Sequence, residues 1–133
     1  VNWKTERVPG TALDLEEVRE VYRDSGLGER RPLEETERFT RMLHQANLVV
    51  TCRIQGRLVG IARSVSDFSY VTYLSDIAVT RDHQRSGIGR ALIEATRQEA
   101  PTAKIVLLSA PAATAYYPHI GFTQHQSAWV LGP

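Results

Sequence analysis

The chain has 133 residues, 42% hydrophobic and 23% charged, enough to bury one core and to form a single domain over residues 1–133. Sixteen basic and fifteen acidic side chains leave a formal net charge of +1 without a long run of either sign, so neither nucleic acid nor a membrane surface is an expected partner. Cys52, the single cysteine, excludes an internal disulfide and reads as a small buried hydrophobe in a strand.

The four histidines, His44, His83, His119 and His125, lack the paired spacing of a zinc site, and no metal is expected. No apolar run approaches the roughly 20 residues a spanning helix needs, and Val1 to Glu6 lacks a signal-peptide apolar stretch, so the expected location is cytoplasmic.

In chain order, Val1 to Val8 reads as a first strand ending at Pro9-Gly10. Asp14 offers an N-cap for a helix running to about Ser25, with Leu15, Val18, Val21 and Tyr22 on one face. Gly26 and Gly28 stop it. Pro32, with Glu34 and Glu35, opens a second helix that carries Phe39, Met42 and Leu43 inward. Leu48 to Ile54, a Gln55-Gly56 turn and Leu58 to Val65 read as a β-hairpin rich in β-branched residues. After a turn at Ser66-Asp67, Val71 to Val79 is a third strand of that sheet. Ile88, Ala91, Leu92 and Ala95 repeat at helical spacing, and Pro101 closes that helix. Ile105 to Leu108 is an uninterrupted apolar run, expected as a strand covered on both faces. It completes a parallel strand-helix-strand unit with a right-handed crossover. Pro111 opens a short helix toward the tyrosines, Gly121-Phe122 ends it, and Ser127 to Leu131 is expected as a last strand. The class is α/β: a mixed, mostly antiparallel sheet with one parallel unit and flanking helices.

The chemistry concentrates between Ile77 and Ile93. A strand feeds a glycine-containing loop, and the loop feeds a helix N-terminus, a geometry that presents unpaired N–H groups to a phosphate or pyrophosphate. Arg85 and Arg90 can add charge. A nucleotide P-loop is excluded because Gly89 is followed by Arg90-Ala91 in place of lysine and a hydroxyl residue. The dinucleotide fingerprint is excluded because a third glycine and the acidic residue after the next strand are missing.

Gln84-Arg85-Ser86-Gly87-Ile88-Gly89 resembles the Gln/Arg-x-x-Gly-x-Gly/Ala signature of the GNAT acetyltransferases, and Ala115-Tyr116-Tyr117-Pro118-His119-Ile120-Gly121-Phe122 resembles that family's second hallmark. Together with their flanks the two cover about residues 71–122. The resemblance implies the GNAT fold, acetyl-CoA as cosubstrate, and transfer of acetyl to a primary amine by direct attack in a ternary complex. It implies that the backbone of Ile77-Ala78-Val79 takes the pantetheine arm like an added strand. The amides of Gln84, Arg85, Ser86, Gly87, Ile88, Gly89 and Arg90 would hold the pyrophosphate. The Val79 N–H would point at the thioester oxygen, a donor worth ~3 kcal/mol of barrier. One departure is Ala110, where the family often has an asparagine that contacts the coenzyme.

Tyr117 is the implied general acid: a phenol, with an ordinary pKa of ~10 against ~8.5 for a thiol, stays protonated at neutral pH and can donate to the departing sulfur. Tyr116 is the alternative. Asp76, one strand position from Ile77, is the candidate general base, against the alternative of a hydrogen-bonded strand carboxylate. Acceptor determinants are expected around residues 20–40 and in the loop before Val71, where no motif names the amine. A noncatalytic acyl-CoA-binding module is the rival function. A homodimer is among the expectations, a neighbouring subunit completing the sheet edge after Gly121-Phe122.

Overall fold

The structure is a computed structural model and describes residues 2–133. Its strands are β1 (Lys4–Val8), β2 (Leu48–Ile54), β3 (Arg57–Ser66), β4 (Val71–Val79) and β5 (Lys104–Val106), and its helices are α1 (Leu15–Ser25), α2 (Thr36–Gln45) and α3 (Ile88–Glu99). Val1, the first residue of the expected first strand, lies outside the described residues. The five strands form one sheet in chain order, antiparallel from β1 to β4 and parallel between β4 and β5. The mixed α/β architecture read from the sequence is the one observed.

Local chemistry accounts for most boundaries. The Asp14 side chain accepts the Glu17 N–H at 3.0 Å at the start of α1, and Gly26 ends it in the left-handed region at φ 92°. The β2–β3 hairpin turns at Gln55 and Gly56, both with positive φ, which suits the right-handed twist of the flanking strands. Asp67 accepts the N–H groups of Ser69, Tyr70 and Val71 and so organises the turn into β4. Helix α2 starts at Thr36, later than Pro32 suggests: Pro32 and Leu33 form a turn in which Leu33 is buried.

Two cores lie on opposite faces of the sheet. Val18, Tyr22, Phe39 and Leu43 from α1 and α2 pack with Val49 and Ile61 on one face. Ile88, Leu92 and Ile93 of α3 pack with Val50, Cys52 and Val59 on the other. Burial pushes the Cys52 thiol up from its ordinary range, as fits its structural place in β2.

The C-terminal third departs from expectation in three places. Strand β5 has only three residues, and Val106 and Leu108 are about half exposed, so the 105–108 run is not covered on both faces. The expected helix from Pro111 is two single 3-10 turns, Pro111–Ala113 and Tyr117–Ile120, the second holding Pro118 and ended by Gly121 at φ 98°. Residues 127–131 form no strand, and Trp129, Val130 and Leu131 are exposed. A strand needs a partner edge for its backbone groups, and β5 is too short to supply one to that run.

Candidate active site

The whole of β5 pairs with only the beginning of β4, Val71 with Lys104, Thr72 with Ile105 and Tyr73 with Val106. Beyond Tyr73 they part, and a cleft of about 940 Å³ occupies the opening. One end is walled by Gln84, Arg85, Gly87, Gly89 and Arg90, the other by Ser25, Gly26, Leu27, Arg30 and Arg31. Leu107, Leu108 and the 3-10 turns form the side facing β4.

The ladder with β3 determines what β4 offers to this opening. The Thr80 N–H donates to the Val59 carbonyl at 2.9 Å. Opposed residues of an antiparallel pair alternate between bonded and non-bonded. Val79 opposite Gly60, and Ile77 opposite Ala62, therefore fall at non-bonded positions, and their backbone N–H and C=O groups face away from β3 toward the cleft. The Val79 carbonyl accepts the Gln84 side-chain amide at 2.9 Å. Register slips between Arg63 and Ser64, which face Asp76 and Leu74, so Ser75 is the extra residue of a β-bulge. Bulges bend a strand and re-aim its groups, and this one stands where β4 leaves β5.

At the other end, Gly87 precedes α3 at φ 90° with no side-chain cap, and Arg85 also has positive φ, 62°. The first-turn amides of α3 have no intrahelical acceptors. A Cβ at Gly89 would meet no atom within 4 Å, and its φ is not positive. Glycine inside a helix costs ~1 kcal/mol relative to alanine, and nothing in the fold requires it here. Close approach of a ligand phosphate to these amides would require a small residue here, so the residues present fit the pyrophosphate of a coenzyme. Ser86 and Ile88 do not line the cleft: Ile88 is buried in the α3 core, and the Ser86 hydroxyl donates to the His83 carbonyl. Their contribution to a ligand in the cleft would be through their backbone amides. Ala78 lines the cleft as part of β4, and Ala110 faces it from the far side.

Tyr116 and Tyr117 both line the cleft. Tyr117 packs edge-on against Tyr116 and Phe122, ring centroids 5.4 Å apart in each case. Burial first, and then the neighbouring Tyr116, push its phenol above the ordinary range. Its hydroxyl has no protein hydrogen-bond partner among the described residues, whereas that of Tyr22 has one in Asp76.

Asp76 does not fit the role of general base expected for it. Its side chain lies on the α1 side of β4, 1% exposed, and does not line the cleft. Its oxygens accept from the Tyr22 hydroxyl at 2.7 Å, Arg31 Nε at 2.6 Å, Arg63 Nε at 2.5 Å and the Ser75 hydroxyl at 3.1 Å. Burial alone would push its carboxyl up, but hydrogen bonding and charge from Arg63, with the Tyr22 and Arg31 bonds, outweigh burial and hold it below the ordinary range. A carboxylate so occupied is a weak proton acceptor. Tyr22 is driven well above the ordinary phenol range by burial and by the Asp76 charge.

Sequence reasoning missed Tyr22, Arg31 and Arg63 as partners of this carboxylate. The available signal was Arg63 itself, an arginine in the interior of a strand whose residues 58–62 and 64–66 are small or apolar, opposite an aspartate in register. Of the two expected acceptor regions, the segment 25–31 reaches the cleft, and the loop before Val71 does not.

The chain matches a family profile described as an acetyltransferase (GNAT) domain over residues 18–130. No curated protein sequence matches it. Among solved structures it resembles a GNAT-family acetyltransferase from Streptococcus pneumoniae, with 19% identity, 98% of each chain covered and a TM-score of 0.75. It also resembles an aminoglycoside acetyltransferase from an uncultured soil metagenomic sample, with 22% identity, coverage of 98% of this chain and 95% of that one, and a TM-score of 0.71. A third likeness is to an aminoglycoside N-acetyltransferase in complex with CoA, with 17% identity, coverage of 99% and 95%, and a TM-score of 0.73. These likenesses concern the fold. The profile match spans most of the sequence, and on that ground the chain belongs to the GNAT acetyltransferase family.

Proposed function

We propose that the protein is an N-acetyltransferase that takes acetyl from acetyl-CoA and passes it to a primary amine by direct attack in a ternary complex. The observation that carries this reading is the gap between β4 and β5, with the backbone groups of Ile77 and Val79 turned into it and the α3 loop at its end. An extended amide chain such as pantetheine would complete the ladder there, as an added strand does. The amides of residues 84–90, with Arg85 and Arg90, would hold the pyrophosphate. That one similar structure holds CoA supports the assignment of the coenzyme.

In the transfer, the amine lone pair forms the N–C bond to the thioester carbonyl carbon. The C–S bond breaks, its electron pair leaves on sulfur, and that sulfur takes a proton. The Val79 N–H is the donor for the carbonyl oxygen, where negative charge grows. Tyr117 is the proton donor to sulfur, and its raised pKa keeps it protonated throughout the neutral range. The acceptor ammonium gives one proton to water in the open cleft to expose its lone pair and a second as the amide forms, and water returns a proton to the Tyr117 phenolate, while Asp76 holds Arg31 and Arg63 in place. Calorimetry with acetyl-CoA and thiol release with a panel of amines test this reading. Binding without thiol release from any amine would make the protein an acyl-CoA-binding module, and no binding would remove the reading altogether.

A further inference from the structure

The charge along the cleft constrains the acceptor amine, and this inference rests on the function proposed above. Among the described residues, those lining the cleft include Arg30, Arg31, Arg85, Arg90 and His119, and no aspartate or glutamate. Arg85 and Arg90 stand at the α3 end, where the coenzyme phosphates belong. Arg31 is fixed at the other end, since its Nη2 donates to the Ser75 carbonyl at 2.8 Å. Ser75 and Val79 are four strand residues apart, or ~13 Å, so Arg30 and Arg31 serve a different part of the bound complex from the α3 loop.

The carboxylate nearest to them does not neutralise that end. Asp76 is shared by two guanidinium groups, Arg31 and Arg63, and its third titratable neighbour, the Tyr22 phenol, is held neutral by burial and by the Asp76 charge. One negative charge against two positive ones leaves an excess cation beside the cleft. Arg31 uses three of its five N–H donors, on Asp76, Ser75 and the Arg30 carbonyl, and its side chain is still 20% exposed. Arg30 is exposed and has no ion pair among the described residues. Asp24 and Glu29 flank the segment, but neither lines the cleft, and Asp24 accepts the Arg81 N–H at 2.7 Å.

A polycationic amine would enter such a site against like charge with no carboxylate to receive it, a cost that low-dielectric walls increase. An amine that also bears an anion would bring its own counter-charge to Arg30 and to the two spare donors of Arg31, where a planar oxyanion matches the guanidinium geometry. We propose that the acceptor is an amine carrying a carboxylate or phosphate-type group, bound through Arg30 and Arg31, and not an aminoglycoside or polyamine.

The test is thiol release at saturating acetyl-CoA from a series of α-amino acids and 2-aminoethylphosphonate. Each is set against its neutral amide or ester, with spermidine and sisomicin as cationic amines. Separate calorimetry establishes acetyl-CoA binding. The expected result is a kcat/KM at least about tenfold higher for an anionic amine than for its neutral partner. In Arg30→Gln that preference should shrink about tenfold through KM, with acetyl-CoA affinity unchanged. The response of carboxylates against phosphonate identifies which anion the site takes. Preference for neutral or cationic amines, a preference that Arg30→Gln leaves intact, or acetyl-CoA binding without turnover of any amine in the series would overturn the inference. Absence of acetyl-CoA binding would instead remove the proposed function on which it rests.

Discussion

The Tyr22 hydroxyl donates to Asp76 Oδ2 at 2.7 Å, joining the last turn of α1 to β4 beneath the cleft. Both residues are buried, and the same carboxylate holds Arg63 of β3 and Arg31 of the segment after α1. Removing its charge leaves two guanidinium groups without a counter-ion. Asp76→Asn should therefore destabilise the protein by about 3–5 kcal/mol, and Tyr22→Phe by about 1–3 kcal/mol, in urea unfolding. An Asp76→Asn protein of wild-type stability would contradict the ion-pair account.

The same group sets an acid limit. Asp76 is held below the ordinary carboxylate value of ~3.9. A lowered folded-state pKa contributes stability that is present above the unfolded value and lost as pH falls through the folded one. Unfolding free energy followed from pH 6 downward should fall below about pH 4. That component should be missing from an Asp76→Asn protein stable enough to measure.

Gly89 separates folding from binding. Because its Cβ position is open, Gly89→Ala should raise helix stability by about 0.5–1 kcal/mol, seen as a higher Tm. Acetyl-CoA affinity, measured by calorimetry, should change little in Gly89→Ala, since the signature admits alanine at this position. Gly89→Val, which adds branched carbons where the pyrophosphate approaches, should lower it about tenfold or more. Unchanged affinity in a folded Gly89→Val variant would remove the α3 loop from the binding site.

Tyr117→Phe keeps the ring contacts to Tyr116 and Phe122 and deletes the proton donor. Turnover should fall about 100-fold, with coenzyme affinity and Tm nearly unchanged. Burial raises this phenol, so the wild-type rate should hold up to the ordinary phenol value of ~10 and decline only above it. The variant should lack that limb. Tyr116→Phe should keep most activity, and the opposite result would transfer the role to Tyr116.

Helical spacing made the three helices legible and β-branched runs bounded by turn residues made β2 to β4 so, because each buries a face, while β1, which has no buried residue, was marked by the Pro9-Gly10 that ends it. The Gln84–Gly89 loop was legible because its glycines answer to backbone geometry, which a local sequence records. The 105–131 region was not. Its apolar residues fit a strand, but whether they form one depends on the length of a neighbouring edge, which no local pattern states. The surroundings of Asp76 were hidden for a related reason: Tyr22, Arg31 and Arg63 come from three separate segments that only the folded sheet brings together.

The parting of β4 and β5 also bears on solubility. A run of unpaired backbone groups such as those of Ile77 and Val79 would, at the rim of a sheet, invite a strand from another protein molecule and so promote aggregation. Here the run is interior to the molecule, with Leu107, Leu108 and the two 3-10 turns standing opposite it. A strand from another folded molecule would have to displace those walls to reach these groups, whereas a ligand chain entering the cleft does not. The walls thus keep the unpaired groups for a ligand and away from another protein's edge.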